Sequence, residues 1–252
     1  MGMGMPADGI RAPSAKQSVA DRVNATWHPS PNHGPRRDGA MPDLIVLHYT
    51  AMCSAEAALQ RLCDPAAEVS AHYLIGTCGT IWQMVEEGSR AWHAGAGRWG
   101  DVCDVNSRSI GIELDNTGHH PFPDPQMRAL EALMGGIRTR WRIPPERVIA
   151  HSDMAPARKC DPGPRFDWGR LARLGLSVWP KASAARGDFV QNARRFGYAT
   201  DPDNSAQATD LILKAFRQRF RPWAYGPLDD TDRALMADLA ARYPVDHDTN
   251  DA

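Results

Sequence analysis

The stretch DLIVLHYT, residues 43–50, sets the apolar run Leu44 to Leu47 directly ahead of a histidine, a tyrosine and a threonine. An uninterrupted apolar run of strand length, without alternation, belongs to a strand covered on both faces, as in the middle of a sheet flanked by helices. Its polar end places His48 where such a strand emerges toward a site. The neighbouring segments agree with a layered α/β arrangement. SAEAALQRLCD opens on Ser54 as a helix cap and spaces Ala55, Leu59 and Leu62 for one helical face. AHYLIG and TIWQMV are strand-like runs on either side of a glycine-containing turn, which predicts a hairpin.

Further along, AWHAGAGRWGDVCDVN is too irregular for either period and reads as a long surface loop of the kind that lines sites. SIGIELDN alternates Ile110, Ile112 and Leu114 against Gly111, Glu113 and Asp115, the pattern of another strand. DPQMRALEALMGGIRTRW carries Met127, Leu130, Leu133, Met134, Ile137 and Trp141 on one helical stripe. RVIAHSD gives a last strand with His151 at its end, and FDWGRLARLGL a closing helix. The order strand, helix, hairpin, strand, helix, strand, helix predicts an α/β fold with a mixed central β-sheet flanked by helices.

Composition bounds what surrounds this unit. The chain has 252 residues, enough for a main domain and a smaller one. Residues 1–42, rich in Pro, Gly, Asn and Arg, read as an irregular N-terminal arm, 43–180 as the main domain, and 181–187 as a linker by composition. Residues 188–245 then carry three amphipathic segments, DFVQNARRFG, SAQATDLILKAFRQRF and DDTDRALMADLAARY, which predict a small three-helix domain, and 246–252 form a tail. The 29 basic and 30 acidic residues leave a net charge of −1, so nothing electrostatic favours nucleic acid or an anionic membrane as partner. No segment is long and apolar enough for a membrane span or a secretory signal. That points to the cytoplasm, or to the periplasm or outer membrane if an export signal has been removed. Protein partners are left unassigned. The five cysteines form no CxxC pair, and reduced, mostly buried thiols are expected.

The residues that carry chemistry gather around two strand ends. If the strands ending in His48 and His151 are neighbours, their ends lie roughly 5 Å apart, close enough for both imidazoles to reach one metal ion. A catalytic zinc site needs a third protein ligand. Asp161 qualifies, because Pro156, Pro162 and Gly163 turn the loop back, and Cys160 competes with it on chemical grounds. Lys159 is placed to face an oxyanion beside such an ion. Glu113, an acid in a central strand, is placed to take a proton from water. The absence of HExxH, P-loop, GxSxG and PCxxC patterns leaves metal-assisted hydrolysis as the surviving class.

The ordered motifs VLHYTA, SAHYLI, AWHAG, SIGIELDN and AHSDMAPARKCDPGPRFDW, within residues 40–180, resemble the zinc N-acetylmuramoyl-L-alanine amidases of the AmpD and AmiD type. That family is similar in turn to the peptidoglycan recognition proteins and amidase-type phage lysozymes. The resemblance implies one zinc ion held by His48, His151 and Asp161, which decides between Cys160 and its neighbour, with Glu113 activating water and Lys159 stabilising the tetrahedral intermediate. It also implies hydrolysis of the amide between N-acetylmuramic acid, or its anhydro form, and L-alanine of the stem peptide, with peptidoglycan or anhydro-muropeptides as partner. Tyr49, His72, Trp92 and His93 are the candidate substrate contacts, and Trp99 belongs to the same aromatic loop. The tail resembles the peptidoglycan-binding module of AmiD-type amidases more loosely. The rival reading is a recognition protein that binds peptidoglycan without cleaving it.

Overall fold

In the computed structural model, which describes residues 24–181, 187–199 and 206–245, the run at 44–49 is the strand β3 (Leu44–Tyr49), paired on both edges. The sheet runs β1 (Ala25–Trp27), β5 (Ile81–Gln83), β4 (Tyr73–Ile75), β7 (Ser109–Leu114), β3, β8 (Val148–Ala150). Only the β4–β5 hairpin is antiparallel within it. Residues 1–23 of the expected arm, 182–186 of the expected linker, 200–205 and the 246–252 tail lie outside the described residues.

Alternation along β3 sends Ile45 and Leu47 to one face and Leu44, Val46 and His48 to the other. The first face packs under α3 (Asp124–Trp141) and α5 (Trp168–Arg173), where Leu130, Met134 and Ile137 meet Ile110 and Ile112. The stripe read from the sequence is therefore the core-facing side of α3. A smaller cluster seats α1 (Ala55–Cys63), capped by Ser54 Oγ accepting from Ala57 N–H at 3.2 Å, against Leu74 and Met84. A single turn, α2 (Val105–Arg108), leads directly into β7.

The other face differs from expectation. The three C-terminal helices are present as α6 (Phe189–Phe196), α7 (Ala206–Phe220) and α8 (Asp230–Arg242), with Asp188 and Asp229 as caps of α6 and α8. Among the described residues they do not close a core separate from the sheet. Phe189, Phe196, Phe216 and Leu239 share one apolar cluster with Leu44, Val46 and Ile149 of the sheet. An apolar face on a central strand has to be covered, and here these helices cover it.

Two further expectations are corrected. The stretch read as an irregular arm holds β1 at the sheet edge and β2 (His33–Pro35), which pairs antiparallel with β6 (Ser89–Ala91). Such three-residue strands are set by their partners and carry no period of their own. All five thiols are free, as expected, but Cys53, Cys78, Cys103 and Cys160 are exposed rather than buried. Among the described residues no helix is long and apolar enough to cross a membrane.

Candidate metal centre

Parallel strands present their carboxyl ends to one side of a sheet, where ligand sites form. β3 pairs with β8 so that Leu47 lies opposite Ala150, which brings the next residues, His48 and His151, together. β3 pairs with β7 so that His48 lies opposite Glu113. His151 opens the single-turn helix α4 (His151–Met154), and Ser152 N–H donates to the backbone carbonyl of Asp161 at 3.0 Å, tying the returning loop to that turn. The result is a near-equilateral triangle. His48 Nδ1 and His151 Nδ1 are 2.9 Å apart, and each is 3.0 Å from Asp161 Oδ2.

The surrounding hydrogen bonds settle which atoms carry protons. His151 Nε2 lies 2.9 Å from the carbonyl of Ala94, which only accepts, so the proton of a neutral ring sits on Nε2. Ser109 Oγ donates to the carbonyl of Val105, and so accepts from His93 Nε2 at 3.1 Å. His93 Nδ1 is then an acceptor for His48 Nε2–H at 3.0 Å. Burial, reinforced by the neighbouring His151, lowers His48 to a pKa of about 4, so its ring is neutral. Two imidazole nitrogens and a carboxylate oxygen thus converge on one point, a donor set suited to a cation. Its edges approach the roughly 3.3 Å separation of donors placed about 2.0 Å from a tetrahedral ion. His48, His151 and Asp161 form a group that could hold a metal ion.

Glu113 stands beside this triangle with Oε2 buried and without a hydrogen-bond partner. Burial and the charge of Asp161 raise its pKa to about 8, with Lys159 acting against them. Lys159 is exposed on the loop and borders the same cleft as Tyr49, Trp92 and Glu113. At about 380 Å³ that cleft falls within the range of small-ligand sites. Cys160 points its thiol at the Tyr49 hydroxyl, 3.0 Å away, and stays out of the triangle.

Of the expected substrate contacts, Tyr49 and Trp92 line the cleft. His72 does not. It is fully buried, with Nδ1 accepting from Gly111 N–H at 3.0 Å and Nε2 donating to Ser89 O at 3.1 Å. His93 also lines the cleft, with both its ring nitrogens engaged in the chain from His48 to Ser109. Its ring packs so close over Gly111 that a Cβ there would lie 2.4 Å from it, and only glycine fits. Trp99, expected in the cleft wall, is fully buried against Phe196 and Tyr198, because its loop turns back to the C-terminal helices. Sequence reasoning misses the groups that hold the ligands from behind. Asn106 Oδ1 accepts from His93 N–H and Ala94 N–H at 3.0 and 2.9 Å, and Asp153 caps the α4 turn through Ala150 N–H at 2.9 Å. An acid two residues after His151 is the available signal for the latter.

A mixed sheet that gathers two imidazoles and a carboxylate at its strand ends, with an unpartnered carboxyl oxygen in the adjoining cleft, is the arrangement of a hydrolase whose site could hold a metal ion. Comparison narrows the class. A profile described as N-acetylmuramoyl-L-alanine amidase matches residues 38–164, and the chain is 35% identical to the N-acetylmuramoyl-L-alanine amidase AmiD of Escherichia coli over 81% of its own length and 84% of that protein's. The chain belongs to the N-acetylmuramoyl-L-alanine amidase family. The AmiD structure in complex with anhydro-N-acetylmuramic acid-L-Ala-D-γ-Glu-L-Lys superposes with a TM-score of 0.74, covering 83% of this chain and 91% of that one at 35% identity. AmpDh3 from Pseudomonas aeruginosa superposes with a TM-score of 0.73 at 31% identity, covering 80% and 92%. The 1,6-anhydro-N-acetylmuramyl-L-alanine amidase AmpD of Enterobacter cloacae is 35% identical over 59% of this chain and 89% of its own.

Proposed function

We propose that this protein hydrolyses the amide between N-acetylmuramic acid, or its 1,6-anhydro form, and the L-alanine of the stem peptide, with zinc bound by His48, His151 and Asp161. The observation that carries the reading is the convergence of three donor atoms, His48 Nδ1, His151 Nδ1 and Asp161 Oδ2, beside Glu113. When bound, the zinc supplies Lewis acidity, making a water acidic near neutral pH and polarising a carbonyl. Glu113 takes the proton of the attacking water and returns it to the alanine nitrogen as the C–N bond breaks. Its buried, unpartnered oxygen suits that role, since no competing hydrogen bond has to be given up. Lys159, on the loop bordering the cleft, faces the oxygen that becomes negative in the tetrahedral intermediate. Tyr49 and Trp92 wall the cleft on the substrate side.

The expected substrate is peptidoglycan or its released muropeptides, consistent with the likeness to an AmiD structure holding an anhydro-muropeptide. The residues of 188–245 support a second role as a wall-binding region through the exposed Trp223 and Tyr225. Mass analysis of products from purified anhydro-muropeptides and from intact sacculi, with and without chelator, tests the assignment. Release of the free stem peptide in the absence of chelator is the expected result. Retention of both substrates without cleavage would overturn it in favour of a recognition protein.

A further inference from the structure

His151 is held from two directions. Its backbone belongs to the α4 turn, and its ring nitrogen is fixed by the carbonyl of Ala94. Both supports are braced by the C-terminal helices. Within α4, Asp153 is fully buried and spends its carboxylate on three donors: Ala150 N–H at 2.9 Å, Tyr198 Oη–H at 2.7 Å and Arg219 Nη1. The last two come from the segment after α6 and from α7. Arg219 is itself buried, donates through Nη2 to the carbonyl of Val148 at 2.9 Å and lies 4.3 Å over the Trp168 ring, so it also grips the strand leading into His151.

The loop carrying Ala94 runs on to Trp99, which bridges backbone to backbone with Tyr198, while Gly100 N–H donates to Gly197 O at 2.8 Å. The same loop lies hard against α4, since a Cβ on Gly97 would collide with Met154. A buried carboxylate held by a buried cation and a buried phenol is a rigid arrangement, because losing the cation leaves its charge unpaired in the core and losing the phenol leaves Oδ1 without its donor.

We propose that Tyr198 and Arg219 are positioning residues for the metal site, acting through Asp153 and the 94–100 loop on His151, so that metal affinity depends on the C-terminal helices. This rests on the metal reading of the His48, His151, Asp161 group. By reciprocity, bound metal strengthens the grip of α7 on α4 to the same degree.

The test uses the full chain. Zinc affinity is measured by competition with a chromogenic chelator, the Co²⁺ absorption spectrum reports ligand geometry, and thermal melts report folding. Tyr198→Phe removes one hydroxyl and Arg219→Met removes the cation. Arg217→Met is the control, because it breaks a comparable buried ion pair with Asp232, inside the helices and away from Asp153. We expect Tyr198→Phe and Arg219→Met to weaken zinc binding on the order of tenfold and to shift the Co²⁺ spectrum, with Arg217→Met within twofold of wild type. Where Arg219→Met fails to fold, Tyr198→Phe decides alone. Wild-type affinity in the folded variants, or an equal loss in Arg217→Met, would overturn the proposal. A wild type that takes up neither ion would instead refute the metal site on which it stands.

Discussion

Replacing Glu113 by glutamine probes the site from two sides, because the carboxyl that serves the reaction burdens the fold. Burial, reinforced by Asp161, raises its pKa from 4.5 to about 8 in the metal-free protein. The unfolded chain therefore releases this proton from about pH 4.5 upward, while the folded chain keeps it until about pH 8. Across that window the unfolded state binds fewer protons, so stability falls as pH rises. At about 1.4 kcal/mol per tenfold, the whole window amounts to about 5 kcal/mol. The cleft is open to water, which screens the charge, and about half of that, 2–3 kcal/mol, is the working figure.

Glutamine keeps the shape and cannot ionise. The chelator-treated Glu113→Gln protein should melt close to wild type at pH 5 and about 5–10 °C higher at pH 8. With metal restored, the same variant should retain its metal content by atomic absorption and lose muropeptide cleavage by about 10²–10⁴-fold. Coincident melting curves at pH 8 would refute the argument that the carboxyl is destabilised where it sits. Turnover within threefold of wild type would refute its role as the base.

Other perturbations separate the remaining parts of the site. His93→Phe removes the acceptor for His48 Nε2–H and should weaken metal binding about 10–100-fold in a chelator competition; unchanged affinity would mean that packing alone orients His48. Trp92→Ala, which opens the cleft wall, should raise KM for muropeptides about tenfold with kcat within twofold, so a change confined to kcat would assign Trp92 to the reacting centre. Burial works against ionisation of Glu87, yet Arg140, Trp141 and Tyr73 outweigh it and hold its pKa below 4.5. Its contribution is complete above pH 4.5 and is lost as pH falls through the folded value. Glu87→Gln should therefore be less stable than wild type at pH 7 in denaturant melts, with the gap narrowing as pH falls through the folded value. A gap that is the same at every pH would assign the loss to shape rather than charge.

The parts of this molecule that can be read from the chain are those whose cause is local. Leu44 to Leu47 form a buried strand because four apolar side chains in a row leave no face for water, and that strand is central in the sheet. The stripe from Met127 to Ile137 and the caps at Ser54, Asp188 and Asp229 lie where short-range periodicity and hydrogen bonding require them. The metal triangle is legible as residue types at strand ends, since its register is fixed once β3 and β8 are neighbours. His72 and Trp99 mislead because a histidine or tryptophan beside other aromatics has the same composition in a cleft wall as in a core. Only the partners at Ser89 and Tyr198 tell the two apart.

What escapes sequence reasoning altogether shares one physical trait, which is distance along the chain. Asp153 meets Tyr198 across 45 positions and Arg219 across 66, and neither partner differs in type from the charged and aromatic residues around it. The composition near residues 181–187 marks a connection between two stretches of chain, and composition says nothing about whether the stretches share a core. Here they do, because the face of β3 that carries His48 also carries Leu44 and Val46, and those two residues need covering just where the site needs support. One set of helices meets both needs: its phenylalanines bury the strand, and its arginine and tyrosine satisfy the acid that shapes the ligand turn. A region that looks separable by its sequence is thus tied to the candidate site by the pleat of a single strand, whose alternate residues serve the core and that site on the same side.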